Sequence, residues 1–497
     1  MTQTACPLDC YDACGITCDP AYPDKLTPTP SHPGYNGTLC AILNKHIHES
    51  KRISKPRVDG KAVSIAEALD AVSEAFGAKK KLMWRGSGNL GLMQSVTNLL
   101  MERTGGMLTD GSLCDGAGQA GIEAGRGYHH QLPLEQLANA EVVVVWGRNL
   151  TVTNKHMVPM LEGKKIIVID PVKTSIAKQA DLFLQIRPRS DFYLAIMLAR
   201  FAIMEGSEDR KWLEEHAPNW EEFYEFTHEF RINSVLKHLD ISLSEIGDML
   251  YMMQSKRTVF LVGIGLQHYT IGHSTLWAID SLAAILGLFG KEGSGVNFMG
   301  VSLNGFDYPF ETRCQKVPIV NTPFEKYDTV LVRGGNPAES MPDSNKVIAH
   351  LEAVKNLIYF GLYENETSRL ARIVIPAKNF LEKNDLRLGY GHYCVQPMNK
   401  VLEAEYGISE YKFVDAILDR LGLAGLEDED KYIEQMLDQC SGDDGQLISP
   451  GYVSLPYADG FGEDGGDEFV FMDDYDDDFE SAWLRNFHAN ESDMSDS

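Results

Sequence analysis

Short unbroken apolar runs alternate with stretches of helical period along most of this chain. Glu141–Asn149 reads EVVVVWGRN, Lys164–Pro171 KKIIVIDP, Thr258–Gln267 TVFLVGIGLQ and Thr329–Pro337 TVLVRGGNP, and Asn356–Thr367 (NLIYFGLYENET) and Arg372–Ala377 (RIVIPA) follow. Runs that are apolar at every position, separated by helical segments, predict parallel strands buried on both faces. Ser64-Ile-Ala-Glu67 reads as a capping box; Ile65, Ala68, Leu69, Val72 and Phe76 then fall on one helical face, and Gly77 is a natural stop. Lys81–Trp84 predicts a short strand running into the glycine loop Gly86–Gly91, with a helical stretch ending near Thr104. Ser207–Ser255 is polar and helical. From about Asp443 the chain turns Gly- and Asp-rich, a composition that does not bury enough surface to fold alone, with Phe469–Met472 as a single candidate edge strand. No repeat of fixed period is present.

Composition narrows the classes. With 497 residues and 44% hydrophobic content the chain is long enough for several subdomains. A formal net charge of -26 argues against non-specific binding to nucleic acid or to an anionic membrane. No apolar run of about 18 residues predicts a membrane span, so direct membrane insertion is not expected. The start, MTQTACPLDC, shows no basic region, apolar core or twin arginine. The expected location is the cytoplasm, with export alongside a signal-bearing partner left open.

The densest chemistry is at the start. Cys6, Cys10 and Cys14 recur every four residues, and Cys40 follows after 25 intervening residues. Three thiols on one tight segment and a fourth on a returning loop suit the corners of a [4Fe-4S] cube. Structural zinc is the alternative, although zinc sites usually show two close pairs. A disulfide framework is disfavoured in so long a chain. Cys18 keeps the spacing and is a possible substitute ligand, but four cysteines already complete the set.

Elsewhere, glycine turns follow several apolar runs: Gly147-Arg148-Asn149, Gly263-Ile264-Gly265 and Gly334-Gly335-Asn336-Pro337. Asp170 ends another run and is placed to accept hydrogen bonds from a ribose or guanine. Each turn alone is most simply a tight turn. Together, at the carboxyl ends of parallel strands, they suggest a large nucleotide-bearing cofactor. None is a complete G-x-G-x-x-G or Walker motif. Thr109–Gly121 (TDGSLCDGAGQAG) sets one cysteine, Cys114, among small residues that allow close approach of a bulky group. It reads as a soft-metal ligand, a nucleophile or a packed core thiol. His156, His268, His273 and His392 are candidates to face a site. An ordinary satisfied histidine is the simpler reading of each, and His392 in GYGHY stands out. Cys314, Cys394 and Cys440 read as ordinary thiols.

With these residues on the page the chain resembles the molybdopterin oxidoreductases of the dimethyl sulfoxide reductase superfamily, over roughly residues 5–425. Cys6, Cys10, Cys14 and Cys40 match that family's [4Fe-4S] ligands, and HPGYNGTLC (32–40) resembles the approach to the fourth. GSLCDGAG (Gly111–Gly118) lies where the family places its protein ligand to the metal, which makes Cys114 the candidate. WGRN, and IDP with Ala180-Asp181, resemble the first dinucleotide-binding half. RGGNPAESMPD, ETSRLARIVIPA and FLEKNDLRLGYGHY resemble the second. The resemblance implies a molybdenum or tungsten bis(molybdopterin guanine dinucleotide) centre performing two-electron chemistry, with the cluster passing electrons singly to a partner subunit or carrier. It implies cofactor contacts at Gly147, Asn149, Asp170, Pro171, Gly265, Gly334, Asn336, Pro337, Thr367, Asp385 and His392, and a small-molecule substrate.

The implied fold is α/β, with a small N-terminal cluster domain and two interleaved parallel-sheet domains. The expected boundaries are 1–56 for the cluster domain, 57–126 with 327–405 for a discontinuous α/β domain, and 127–326 for an α/β dinucleotide-binding domain. A helical connection (406–442) and an acidic remnant expected to be disordered (443–497) complete the chain.

The chain also departs from the family. The usual basic residue two after the last cluster cysteine is Ile42 here, the next lysine being Lys45, and the R-P-G-T-D stretch reads Arg187-Pro-Arg-Ser-Asp191. Asp115 follows Cys114 where formate dehydrogenases carry histidine, and is itself a possible metal ligand. The family's C-terminal barrel-like domain is expected to be largely missing: supplied by a separate subunit, as in formylmethanofuran dehydrogenases, removed by truncation of the gene, or dispensed with in a protein that no longer binds both pterins. Three readings follow: a pterin-dependent oxidoreductase; a non-catalytic iron–sulfur relay or assembly subunit, as in respiratory complex I; and hydration at the metal, as in acetylene hydratase. The acidic end is expected to be solvated or to dock a basic carrier.

Overall fold

In a computed structural model the chain is described at residues 1–29, 37–43, 45, 51–300, 305–443 and 446–474. It divides into two compact units, 1–113 with 302–452 and 114–301 with 453–497. The boundaries expected at 126/127 and 326/327 therefore fall earlier, at 113/114 and 301/302.

The first unit opens with a three-stranded antiparallel sheet, Thr2–Ala5, Gly15–Asp19 and Tyr22–Pro28. The loop carrying Cys6, Cys10 and Cys14 joins its first two strands and is closed by Cys6 N–H donating to the Cys14 carbonyl at 2.8 Å. The main sheet has eight strands. Six are mutually parallel, in the order Lys316–Pro318, Met107–Asp110, Lys81–Arg85, Thr329–Arg333, Asn356–Gly361 and Ile373–Pro376. An antiparallel ribbon, Arg57–Val58 and Lys61–Ala62, finishes the edge.

Side chains alternate between two cores. Met83, Leu331, Ile358 and Ile375 pack on one face, and Leu82, Val330, Val332 and Val374 on the other, which is why the runs read as apolar throughout. Helix Ile65–Phe76 starts at the predicted Ser64/Glu67 capping box. A second, antiparallel sheet contains Asp385–Leu388, Cys394–Met398, Gln446–Ile448 and Ser441–Asp443.

The second unit is built on a five-stranded parallel sheet in the order Leu182–Leu184, Lys165–Ile169, Val142–Trp146, Thr258–Val262 and Gly295–Phe298. Helices Asp191–Met204 and Gly272–Ile285 are buried along most of their length. The polar stretch 207–255 forms four helices, Arg210–His216, Trp220–Thr227, Ile232–Leu239 and Leu243–Met253.

The acidic end differs from its expectation. Tyr457, Phe461, Phe469, Phe471 and Met472 are buried in this unit's core. Phe469 N–H donates to the His216 carbonyl and Val470 N–H to the Gly125 carbonyl. The segment is ordered without being a strand because five apolar anchors among the acids bury against a core the rest of the unit supplies. The remainder of the tail, from 475, lies outside the described residues, as do residues 32–36 of the approach to Cys40. Among the described residues no helix is long and apolar enough to cross a membrane.

Candidate functional site

Nine cysteines are free of disulfides, and five lie near the start of the chain. Cys6 and Cys14 are buried, and Cys10 and Cys40 half-buried. Burial pushes the Cys6 thiol up to about 11 and Cys10 up to about 12, and raises Cys14 as well. After burial the thiols act on one another: Cys40 on Cys6, Cys6 on Cys10, and Cys6, Cys10 and Cys40 on Cys14. Asp12 adds its charge to all three loop thiols.

Among the described residues no group of three or more His, Cys, Asp or Glu is preassembled to hold one metal ion. The mutual effects nevertheless put these four thiols in one neighbourhood. An all-thiol donor set, hard to ionise while unmetallated, fits a soft metal group that supplies the compensating positive charge. Cys18 is separate. Its thiol approaches the Asp19 and Pro23 carbonyls, and the charges acting on it are Asp19, Asp24 and the N-terminus.

The strand pair Asp385–Leu388 and Cys394–Met398 grips the cysteine loop through its connecting turn. Arg387 is fully buried and donates to the carbonyls of Cys6 (3.2 Å), Leu8 (2.9 Å) and Cys10 (3.3 Å). His392 is also buried. Its Nε2 lies 2.9 Å from the Asp12 carbonyl, and its Nδ1 accepts from Cys394 N–H at 3.2 Å. Those partners fix the Nε2–H tautomer, and burial holds the ring down to about 4, so it is neutral. A Cβ on Gly391 would lie 1.5 Å from the Tyr11 ring, so this turn approaches the loop too closely for any side chain. His392, expected to contact the cofactor, supports the cysteine loop in this structure. Ile42 is 57% exposed and Lys45 is exposed.

A cavity of about 390 Å³ in this unit is walled partly by Pro7, Leu8 and Asp9 of the cysteine loop and partly by Gly334, Gly335 and Asn336. The glycines pack backbone on backbone: a Cβ on Gly86 would lie 2.3 Å from the Gly334 carbonyl oxygen. Arg333, Lys383 and Glu410 also line it. Lys383 Nζ pairs with Glu410 at 2.7 Å and with Asp385 at 3.7 Å. Arg333 Nε and Asp385 Oδ2 are buried without a hydrogen-bond partner. The other Asp385 oxygen accepts from Met93 N–H at 2.8 Å. The unsatisfied Arg333 Nε at the wall of a cavity of this size fits a polar, anionic ligand that completes it.

Asn336 and Thr367 tie two strand-end loops together: Thr367 Oγ1–H donates to Asn336 Oδ1 at 2.7 Å, and Thr367 is fully buried. Asn336 also donates to Glu366 at 2.9 Å, helping to hold that carboxylate down to about 2. Pro337 is buried at the start of a one-turn helix.

In the second unit the turns after the central strands meet. A Cβ on Gly263 would lie 2.0 Å from the Gly147 oxygen, and Gly147 has φ +58°. Gly265 lies beside the same oxygen. Asn149 Oδ1 accepts from Thr151 at 2.8 Å. Asp170 accepts from Val172 N–H at 2.8 Å, and burial raises its carboxyl; Pro171 after it is half-buried. Asp191 is buried and accepts from Trp146 Nε1 at 2.8 Å, while burial pushes it up to about 6.

Cys114 is exposed, and its carbonyl accepts from the Gln267 amide and from His268 Nε2, the latter at 2.9 Å. Asp115 is half-buried at the N-cap of helix Gly116–Arg126. His156 is buried, and His273 lies 3.3 Å from Ser274 Oγ.

The small residues after Cys114 serve packing as well as any ligand. A Cβ on Gly118 would lie 2.5 Å from the Phe298 ring, one on Gly121 2.1 Å from the His273 carbonyl, and one on Gly125 3.0 Å from Phe469. The 3–4-residue spacing of Gly118, Gly121 and Gly125, which puts them on one helical face, is the signal in the sequence that would have revealed a helix here. Arg387 was not singled out by motif; an isolated arginine between two leucines in an otherwise strand-like run is the signal that would have flagged it.

A family model described as Molybdopterin oxidoreductase matches residues 52–416. The protein named Probable oxidoreductase YyaE from Bacillus subtilis is 26% identical, over 90% of this chain and 77% of its own length. The F420-dependent formate dehydrogenase subunit alpha of Methanocaldococcus jannaschii is 25% identical, over 92% of this chain and 75% of its own. Among solved structures, acetylene hydratase from Pelobacter acetylenicus matches with a TM-score of 0.69 at 17% identity, covering 85% of this chain and 69% of that one. This last likeness is one of fold.

Proposed function

The chain belongs to the molybdopterin oxidoreductase family, and from that premise we propose that it performs two-electron redox chemistry on a small molecule at a molybdenum or tungsten centre carried by two pterin guanine dinucleotides. When bound, the metal would supply two-electron exchange with substrate, and Cys6, Cys10, Cys14 and Cys40 would hold a [4Fe-4S] cluster that supplies single-electron transfer to a partner subunit or carrier.

The observation that carries this reading is the cavity itself: Pro7, Leu8 and Asp9 of the cysteine loop and the Gly334–Gly335 turn share its wall. One unit thus offers a thiol set and an anion-suited pocket side by side. Backbone N–H groups of the glycine turns would meet pyrophosphate oxygens, and Arg333 and Lys383 would face their charge. Asn336, Pro337 and Thr367 hold the turn in shape; Asp385 fixes Lys383 and the Leu92–Val96 turn.

In the second unit, Gly147, Asn149, Asp170, Pro171 and Gly265 would serve the other dinucleotide from the carboxyl ends of the strands. Cys114 is the proposed protein ligand to the metal. Its thiol is exposed one residue before an N-cap, and the loop is held by Gln267 and His268. Asp115 beside it is the alternative ligand. Replacing Cys114 by Ser tests the assignment: activity of the metal-loaded protein with a viologen dye should fall at least about 100-fold while iron content is unchanged. Full activity in that variant would remove Cys114 from the site.

A further inference from the structure

We infer that the buried charges on the cysteine loop, Arg387 above all and Asp12 opposing it, set the reduction potential of the group that loop binds. The inference rests on the cluster reading above.

Arg387 has no exposed surface. Its guanidinium donates to four backbone carbonyls, those of Cys6, Leu8, Cys10 and Leu388. Among the described residues it hydrogen-bonds no carboxylate. A buried cation bonded only to carbonyl dipoles is expensive unless an anion lies close by. The nearby groups able to carry the opposite charge are Asp9 and, once they bind a metal group as thiolates, Cys6 and Cys10. Arginine stays charged at any working pH, so the charge is permanent.

Thiolate-bound iron–sulfur clusters carry net negative charge, and adding one electron makes it larger. A fixed cation in a low-dielectric setting therefore favours the reduced form and raises the potential. Asp12, 7% exposed, acts on Cys6, Cys10 and Cys14 with the opposite sign. Arg387 is thus a positioning residue twice over: its fork shapes the loop, and its charge biases the one-electron equilibrium.

The test is an anaerobic potentiometric titration of the full chain, with low-potential mediators as the one-electron reductant, reading the reduced-cluster electron paramagnetic resonance signal. At the wild-type midpoint, Arg387→Gln should hold about tenfold less reduced cluster relative to oxidised, which for a one-electron couple is 59 mV. Arg387→Lys should stay within about threefold of wild type, and Asp12→Asn should move the ratio the other way. Opposite shifts from two substitutions packed against one loop are not produced by loosened packing.

Full iron with an unchanged midpoint in Arg387→Gln overturns the inference. Should that variant lose its iron, Asp12→Asn decides alone: an upward shift supports the electrostatic account and an unmoved midpoint overturns it. Wild-type protein without any iron overturns the cluster reading and this inference with it, whereas a wild-type signal that Arg387→Gln leaves in place overturns this inference alone.

Discussion

At the scale of the residue, the cysteines divide by environment rather than by spacing. Cys18 continues the four-residue rhythm, yet strand pairing points its thiol at the Asp19 and Pro23 carbonyls. Serine at any of positions 6, 10, 14 or 40 is expected to lower iron by more than half in anaerobically prepared protein, and Cys18→Ser to leave it unchanged; elemental analysis of the five variants checks this.

Asp191 gives a pH dependence with a definite sign. Its carboxyl is buried and pushed up from 3.8 to about 6. The folded state therefore prefers the protonated form, and this group's contribution to stability is lost as the pH rises from about 4 to about 6, by about 3 kcal/mol in full. Asp191→Asn keeps an acceptor for Trp146 Nε1 and abolishes the ionisation. It should raise stability, by about 1 kcal/mol more at pH 8 than at pH 5. Thermal melts at the two pH values measure the difference, and equal gains would contradict it.

Not every residue role was legible. The thiol set draws the eye because four cysteines with that spacing have few other uses. GYGHY marks His392 as worth watching but does not say that its ring meets the Asp12 carbonyl. Arg387 carries no motif at all; only the fold brings residues 387 and 6–10 together.

At the scale of the element, the parallel strands were easy to read because both faces are buried and every position is apolar. The N-terminal antiparallel strands were missed. Tyr22–Pro28 has no buried residue, so it lacks the hydrophobic signature of a strand. The small residues after Cys114 read as room for a bulky group; the glycines among them also make room for helix Gly272–Ile285 and the Phe298 ring.

That distinction is measurable. Gly121→Ala places a Cβ against the His273 backbone and should lower stability by about 1–3 kcal/mol. Gly247→Ala, in helix Leu243–Met253 with nothing within 4 Å of the new Cβ, should raise it by about 0.5–1 kcal/mol. A thermal-shift comparison of the pair separates a packing glycine from a merely permissive one.

At the scale of the whole molecule, composition suggested that the chain loses its structure from Asp443. Average composition hid five apolar anchors placed among the acids. Phe471 stacks on Phe223 with ring centroids 4.8 Å apart, and Phe469 on Phe289 at 5.9 Å. Phe471→Ala should therefore destabilise the second unit by about 3–5 kcal/mol, seen as a lowered melting temperature. A melt unchanged by that substitution would show the segment to be a bystander. The division into interleaved α/β domains came from the family resemblance rather than from the strand pattern, and the compact units are 1–113 with 302–452 and 114–301 with 453–497. Their boundaries were not legible, since they fall inside glycine-rich stretches where pattern is silent.

The central claim is that this chain binds both a cluster and a pterin-borne metal. It is tested most directly by the metal and nucleotide content of protein purified without oxygen. The account expects about four irons, about one molybdenum or tungsten and roughly two guanine nucleotides per chain. Iron alone, with neither heavy metal nor nucleotide, would contradict it and leave an iron–sulfur relay in place of an enzyme.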